Sequence, residues 1–139
     1  MFLPINLNKN QVIKKTGSKI RICHSPTNRY YKGSEYIISA CKKLEGENDN
    51  VEFLLIENKS QSETIQIKST CDINIDQISN TGGWGYGMNS IESLSMGICT
   101  ATNMNAQMKS FLPDYPFYNI DKENLYNQLE KLICNEKMI

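Results

Sequence analysis

The chain has 139 residues, with fifteen basic and fifteen acidic side chains, so its formal net charge is zero at pH 7. This length predicts one domain with a sizeable core, and the charge balance gives no whole-chain argument for binding nucleic acid or an anionic membrane. The five cysteines are widely spaced without a C-x-x-C pattern, which argues against a zinc site and a disulfide framework and favours a reducing compartment.

The first eighteen residues carry no regular hydrophobic pattern and are interpreted as a linker or leader, so the folded domain is expected over residues 19–139. The apolar start of the chain is too short for a signal peptide, and no run in the sequence reaches the length of a transmembrane helix. We therefore expect a cytoplasmic protein, at most peripheral to the inner face of a membrane.

Hydrophobic periodicity predicts strands and helices in alternation along the rest of the chain. Short alternating or continuous apolar runs predict the strands, and apolar positions three or four residues apart predict the helices. The expected elements in chain order are a strand at 19–25, a helix at 33–45, a strand at 51–57, a short helix opened at 60–63, a strand at 71–77, a helix at 88–95, a strand at 98–102, a weak helix at 105–112, a strand at 117–120 and a final helix.

Several elements carry expectations about caps and burial. Ser34 is expected to cap the helix at 33–45 and Asp121 the last helix, and residues 60–63 fit a capping box. The nearly continuous apolar run at 51–57 is typical of a buried parallel strand. The apolar helix faces are expected to consist of Tyr36, Ile37, Ala40, Cys41 and Leu44 in the first long helix and of Leu125, Leu129, Leu132 and Ile133 in the last.

The element order predicts a Rossmann-like α/β fold, a three-layer α/β/α domain with helices on both faces of a parallel sheet. Ligands of such sheets bind at the carboxyl ends of the strands, near the point where the strand order reverses. The segments expected at that edge are residues 24–32, 57–60, 77–87 and 103–105.

A glycine-rich segment at 82–87 leads into the predicted helix at 88–95. Glycines let a backbone approach a ligand closely, and a helix N-terminus presents free N–H groups that suit phosphate. Glu92, within the first turns of that helix, can then accept hydrogen bonds from sugar hydroxyls. The alternative is a surface loop that caps an ordinary helix, which short motifs of this kind more often turn out to be, and the residues alone leave both interpretations open.

Three further side chains fall at the same edge. Arg29 and Lys32 form either a diphosphate clamp or a pair of ordinary surface cations. His24, the only histidine, is either an acid–base group or a strand-end histidine whose hydrogen bonds the fold satisfies.

Paired carboxylates and aromatic side chains are the other candidates. Asp72 and Asp76 share one face of a predicted strand, one at each end, and a structural role is expected rather than a metal site. Tyr30, Tyr31 and Trp84 either stack on a base or sugar ring or pack within the protein.

Taken together, these segments resemble the C-terminal domain of GT-B glycosyltransferases, the retaining enzymes that have two Rossmann domains and use nucleotide-sugar donors. The resemblance covers roughly residues 20–102. It rests on IRICHSPTNR at 20–29 with KGSE at 32–35, on CDINIDQ at 71–77, and on YG at 86–87 followed by IESLSMG at 91–97.

The resemblance implies binding of a nucleotide-diphosphate sugar for transfer to a saccharide or lipid-linked acceptor, without a further cofactor or a metal. It implies that Glu92 contacts the donor ribose and that Arg29 and Lys32 are the catalytic cations on the diphosphate. The other donor-binding residues that it implies are Gly87, Met88, Asn89, Trp84, which stands at the position of the family's first glutamate, and His24.

The family's active site lies between two domains, so we expect this chain to be inactive without an N-terminal domain that binds the acceptor. Two other interpretations stay open. One is a non-catalytic Rossmann-like remnant that acts as a binding or interaction module and self-associates through its exposed interdomain face. The other is an unrelated flavodoxin-like domain that binds a flavin or acts in signalling.

Overall fold

A computed structural model of the chain describes residues 19–78, 88–104, 110 and 116–134. The predicted leader at 1–18 lies outside these residues, and so does the predicted helix at 105–112 apart from Ser110. The described elements in chain order are β1 (Ile20–His24), α1 (Arg29–Lys32), α2 (Ser34–Glu47), β2 (Val51–Leu55), α3 (Gln61–Lys68), β3 (Ile73–Ile75), α4 (Met88–Ser95), β4 (Cys99–Thr102), β5 (Tyr118–Asn119) and α5 (Leu125–Cys134).

All five described strands join one parallel sheet in the order β2-β1-β3-β4-β5. Ile22 of β1 fixes the register, because it lies opposite Phe53 on one side and Ile73 on the other. The chain turns outward from β1 to β2 and then returns to place β3 on the opposite side of β1. The order therefore reverses between β1 and β3, and this is the switch point at which doubly wound sheets bind ligands. The predicted Rossmann-like parallel α/β fold is confirmed.

Helices cover both faces of the sheet. On one face α2 and α5 pack over a continuous apolar core, formed with side chains from β1, β2, β3 and β4. On the other face α3 packs near Cys23 through Ile67, and α4 contributes Ile91 and Leu94 to a small cluster around Met104 and Phe117. Ile37, Cys41 and Leu44 of α2 are buried as predicted. The four residues predicted for the apolar face of α5 are buried too, namely Leu125, Leu129, Leu132 and Ile133.

The two layers differ in polarity because strand side chains alternate between the faces. Ile73, Ile75 and Ala101 point into the apolar core. The intervening strand positions, and the helix residues that meet them, are polar and buried, namely Lys68, Asn74, Asp76, Ser90, Ser93, Thr100 and Thr102. Buried polar groups require hydrogen-bond partners, so this layer is organised by specific contacts rather than by apolar packing.

The start of α2 differs from the prediction. Ser34 is the first helical residue, and Gly33 takes the cap position with φ of 69° and no side-chain cap. The Ser34 hydroxyl instead donates to Nε2 of His24 at 2.8 Å. Tyr36 is 50% exposed although it was expected to be buried. The buried positions of α2 are Ser34, Ile37, Cys41 and Leu44. Consecutive helix residues lie about 100° apart around the axis, so Tyr36 points away from the face that Ile37 buries.

The strand β2 is less buried than predicted, because among the described strands it lies at the edge of the sheet and pairs with β1 alone. Only Val51 is fully buried, and the other four residues are partly exposed. The predicted cap of α3 is present, whereas Asp121 lies in the turn before α5 and not directly before its first residue, Leu125. Ser60 accepts a hydrogen bond from the Glu63 amide at 3.1 Å, and Asp121 accepts one from the Asn124 amide at 2.9 Å in the turn before α5.

Candidate functional site

A cleft of about 500 Å³ opens at the carboxyl ends of β1 and β2, beside the first turns of α4. It adjoins the switch point, where the fold class places ligands. Its polar lining includes Thr27, Glu57, Gln61, Lys68, Asn89 and Glu92, and we call it the switch-point cleft. Two residues that the sequence placed in a donor site, Asn89 and Glu92, therefore meet in one cavity of ligand size.

Lys68, the last residue of α3, is the buried cation of this cleft, with only 1% of its surface exposed. Its Nζ donates to the backbone oxygen of Asn89 at 3.2 Å and to Oδ1 of Asn89 at 2.5 Å. Among the described carboxylates, Glu92 comes closest, with Oε2 3.9 Å away. Burial lowers the pKa of Lys68, and the negative charge of Glu92 partly opposes that shift.

Sequence reasoning missed Lys68, since a lysine at a helix end usually lies in solvent. One signal was available. Thr64 and Lys68 are four residues apart on α3, so they share a helix face, and both line the cleft. Identifying that face as the inward one required the packing of α3 against the sheet.

Glu92 lies on α4 with 13% of its side chain exposed. Gln61 of α3 donates to Oε1 of Glu92 at 2.5 Å, while Oε2 faces Lys68. Both carboxylate oxygens are thus oriented by residues of the neighbouring helix. An ionised carboxylate accepts up to about four hydrogen bonds, so this group retains capacity for hydroxyl donors.

Asn89 forms hydrogen bonds with three segments that surround the cleft. Its amide nitrogen donates to the Ser25 carbonyl at 3.4 Å, and its amide oxygen accepts from Lys68 and from Asn74 at 3.3 Å. These contacts connect the start of α4 to the segment after β1, to α3 and to β3. The N-terminal turn of α4 is therefore held in place beside the cleft.

Arg29 and Lys32 lie at the two ends of α1, and each is bound by a carboxylate. Arg29 makes a two-pronged contact with Glu57, with both N–O distances 2.7 Å. This contact lowers the pKa of Glu57 and raises that of Arg29. Lys32 donates to Oδ1 of Asp76 at 2.8 Å, and the fully buried Asp76 also accepts from Ser90.

Arg29 and Lys32 therefore bind two separate carboxylates, Glu57 and Asp76, and do not form one cationic site. The Arg29 side chain is 47% exposed, whereas the Lys32–Asp76 pair lies at the carboxyl end of β3 with a fully buried carboxylate. Asp72, at the other end of β3, accepts the Arg21 amide at 2.8 Å. Asp72 and Asp76 thus act separately, as the structural interpretation predicted.

His24 is fully buried on the α2 face of the sheet. Nδ1 lies 2.8 Å from the Ile75 carbonyl, which can only accept, so Nδ1 carries the proton and Nε2 accepts from Ser34. Burial lowers the pKa of His24 to about 4, against the raising effect of the Ile75 carbonyl, so the ring is neutral at pH 7. Both ring nitrogens are engaged within the protein, as the strand-end interpretation predicted.

Of the three remaining predicted donor residues, Met88 is the one that belongs to a described element, α4. Met88 begins the helix, although its side chain lies outside the described part of the chain, and Trp84 and Gly87 lie outside it entirely. Among the described residues no group of three or more His, Cys, Asp or Glu side chains could hold a metal ion. Within that part, no helix is both long and apolar enough to cross a membrane.

Comparison with known proteins gives no assignment, because neither a protein-family model nor a curated protein matches the chain. The functional argument therefore depends on the geometry of the switch-point cleft.

Proposed function

We propose that this chain is the donor-binding half of a GT-B glycosyltransferase and that the switch-point cleft holds the nucleoside diphosphate of a nucleotide-sugar donor. The observation that carries the proposal is the pairing of a buried cation, Lys68, with an oriented carboxylate, Glu92, beside the N-terminal turn of α4. A nucleoside diphosphate presents the complementary groups, since its phosphates are anionic and its ribose hydroxyls are hydrogen-bond donors.

The phosphates are assigned to the side of the cleft where Lys68 meets α4. The free amides and the partial positive charge of a helix N-terminus favour an anion, and Lys68 adds a cation that the described carboxylates satisfy only at 3.9 Å. A phosphate oxygen near Lys68 would also compensate a charge that is costly to bury unpaired.

The ribose is assigned to Glu92. Gln61 and Lys68 fix the orientation of its carboxylate, so that hydroxyl donors meet a preorganised acceptor. In glycosyl transfer the bond between the anomeric carbon and the diphosphate breaks, the acceptor hydroxyl oxygen bonds to that carbon, and the hydroxyl proton passes to the departing diphosphate. Positive charge near the departing diphosphate stabilises that step, and an N-terminal domain would bind the acceptor.

Calorimetry with UDP, GDP, ADP and their hexose conjugates tests this proposal. We expect one nucleotide to bind and Glu92→Ala to weaken it by about 1–3 kcal/mol, the cost of removing one partner of a buried hydrogen bond. Glu130→Ala is the matched control, because Glu130 is an exposed carboxylate on another helix, α5, and does not line the cleft. Unchanged affinity in Glu92→Ala would refute the assignment.

A specific observation favours a second candidate, a nucleotide-binding module without transferase activity. Both cations that the resemblance assigns to catalysis, Arg29 and Lys32, are bound by carboxylates of the same domain. To assist a leaving diphosphate they would have to exchange those carboxylates for phosphate oxygens. Comparing the affinity for a nucleoside with that for its diphosphate in Arg29→Ala separates the two candidates, since only a catalytic clamp loses affinity for the diphosphate alone.

A further inference from the structure

A second, larger cleft is lined by residues of α1, of the start of α2 and of the segments that follow β4 and β5. Its volume is about 730 Å³, and we define this tyrosine cleft by Tyr30, Tyr36, Asn103, Asp121, Lys122 and Glu123. Arg29 lines it, while its ion-pair partner Glu57 lines the switch-point cleft, so this ion pair stands between the two cavities. The nucleotide proposal uses none of the six defining residues.

Two tyrosine rings give the cleft exposed aromatic surface. Tyr30 is 72% exposed and meets Tyr31 edge-on, with ring centroids 5.4 Å apart. Tyr36 is half-exposed, and the Lys122 ammonium lies 4.5 Å from its ring centroid. These contacts orient both rings, and oriented tyrosines provide binding area at a low cost in conformational entropy.

Asn103 contributes an amide side chain to the lining of the cleft. Its amide nitrogen donates to the Ile120 carbonyl at 2.7 Å, which fixes the orientation of the amide. Its buried Oδ1 receives no hydrogen bond from any residue in the described part of the chain. An unsatisfied buried acceptor is unfavourable, so a ligand whose donor reaches this oxygen is favoured.

The charges of the cleft disfavour an anion. The lining contains more carboxylates than cations. The two cations are Arg29 and Lys122, and the three carboxylates are Glu35, Asp121 and Glu123. Arg29 is already engaged by Glu57 and by Glu35, the latter at 3.4 Å. The charges thus exclude an anion, and the exposed rings with the carboxylate and amide acceptors suit a ligand that is rich in hydroxyl donors and has an apolar face.

We propose that the tyrosine cleft binds a neutral saccharide. A pyranose ring presents C–H groups on its face and hydroxyls around its rim, which match the tyrosine rings and the Asn103 and carboxylate acceptors respectively. The volume of the cleft lies within the range of about 300–1,000 Å³ found for small-molecule sites. This site lies outside the proposed nucleotide site and does not depend on it.

Titration of the isotope-labelled chain with cellobiose, maltose, lactose and mannobiose, followed by NMR, tests this inference. We expect one of these sugars to shift the amide signals of Tyr36, Asn103 and Lys122. Tyr36→Ala should weaken that binding about tenfold, near the upper end of the energies measured for aromatic pairs. Tyr36→Phe keeps the ring and should bind as the native chain does.

Tyr126 of α5 provides a matched control, because its ring also contacts a lysine ammonium. That ammonium, of Lys43 in α2, lies 4.4 Å from the Tyr126 ring centroid. Tyr126 does not line the tyrosine cleft, so Tyr126→Ala should leave saccharide binding unchanged. Shifts confined to the switch-point cleft, no shift with any of the sugars, or equal losses in Tyr36→Ala and Tyr126→Ala would each overturn the inference. Glu92→Ala should leave saccharide binding intact, so failure of the nucleotide proposal is recognised separately.

Discussion

At the scale of single residues, burial separates two ion pairs that look alike in the sequence. The Arg29–Glu57 pair is partly exposed, and exposed pairs contribute little to stability, so a ligand can replace either partner at low cost. The Lys32–Asp76 pair has a fully buried carboxylate, and removing Lys32 from it would strand a buried charge. Of the two predicted catalytic cations, Arg29 is therefore the one that can turn to a ligand more easily.

His24 provides a pH-dependent contribution to stability. Burial lowers its folded pKa to about 4 from an ordinary value of 6.5, so the unfolded chain binds the proton more tightly. The His24 contribution is complete above pH 6.5 and is lost as the pH falls from 6.5 towards 4. We expect this residue to account for about 2 kcal/mol of lost unfolding free energy between pH 7 and about pH 5.

Urea denaturation of the native chain and of His24→Asn at the two pH values measures that contribution. The variant lacks the titrating ring, so its unfolding free energy should fall by about 2 kcal/mol less than that of the native chain over the same interval. Parallel losses in both proteins would show that other groups, such as the carboxylates, cause the acid sensitivity.

At the scale of elements, one glycine joins two helices. Gly33 ends α1 and precedes α2 with φ of 69°, and its amide donates back to carbonyls of α1. A left-handed conformation costs a residue with a Cβ atom roughly 1–2 kcal/mol. This joint sets the direction of α2 and the position of Ser34 against His24.

We expect Gly33→Ala to lower the unfolding free energy by about 1–2 kcal/mol, measured by urea denaturation. Gly46→Ala is the matched control, because Gly46 lies within α2 and a Cβ atom there would meet nothing within 4 Å. Alanine in a helix interior is favoured over glycine by about 0.5–1 kcal/mol, so this control should stabilise the chain. A stabilising Gly33→Ala would contradict the structural role of the joint.

At the scale of the whole molecule, the sheet separates two unlike cores. The α2 and α5 side buries large aliphatic residues, including Ile37, Leu44 and Leu129. The α3 and α4 side holds small apolar clusters and a polar network from Asn74 to Lys68. Fewer buried apolar contacts mean a smaller cost of local opening. The layer that forms the switch-point cleft is therefore the one more easily reorganised by a ligand.

Hydrogen–deuterium exchange tests this difference between the layers. Amides in α2 and α5 should exchange at least about tenfold more slowly than amides in α3 and α4. A nucleoside diphosphate that binds the switch-point cleft should slow exchange in α3 and α4 and leave α2 and α5 unchanged. Equal protection of all four helices without ligand would show that the polar network stabilises its layer as well as the apolar core does.

The sequence alone predicted the parallel α/β fold, since hydrophobic periodicity is a local property of the chain. It also located α4, including its start at Met88 and its end before Gly97, and the apolar face of α5. The ligand rule for parallel sheets, which needs only the element order, placed residues 77–87 at the ligand edge, and the family resemblance assigned Asn89 and Glu92 just after them to a donor site. The sequence did not predict the exposure of β2, since the position of a strand at the edge depends on the strand order in the sheet.

Only the tertiary structure decided which side chains meet. Lys68 is buried because α3 packs its inward face beside the start of α4, and no local pattern reports that packing. Ser34 bonds to His24 instead of capping its helix, and Arg29 and Lys32 bind separate carboxylates, since distances between elements set both outcomes. The sequence by itself determined the elements and the edge of the sheet at which a ligand would bind. Which charges are paired there was decided by contacts between residues far apart in the chain.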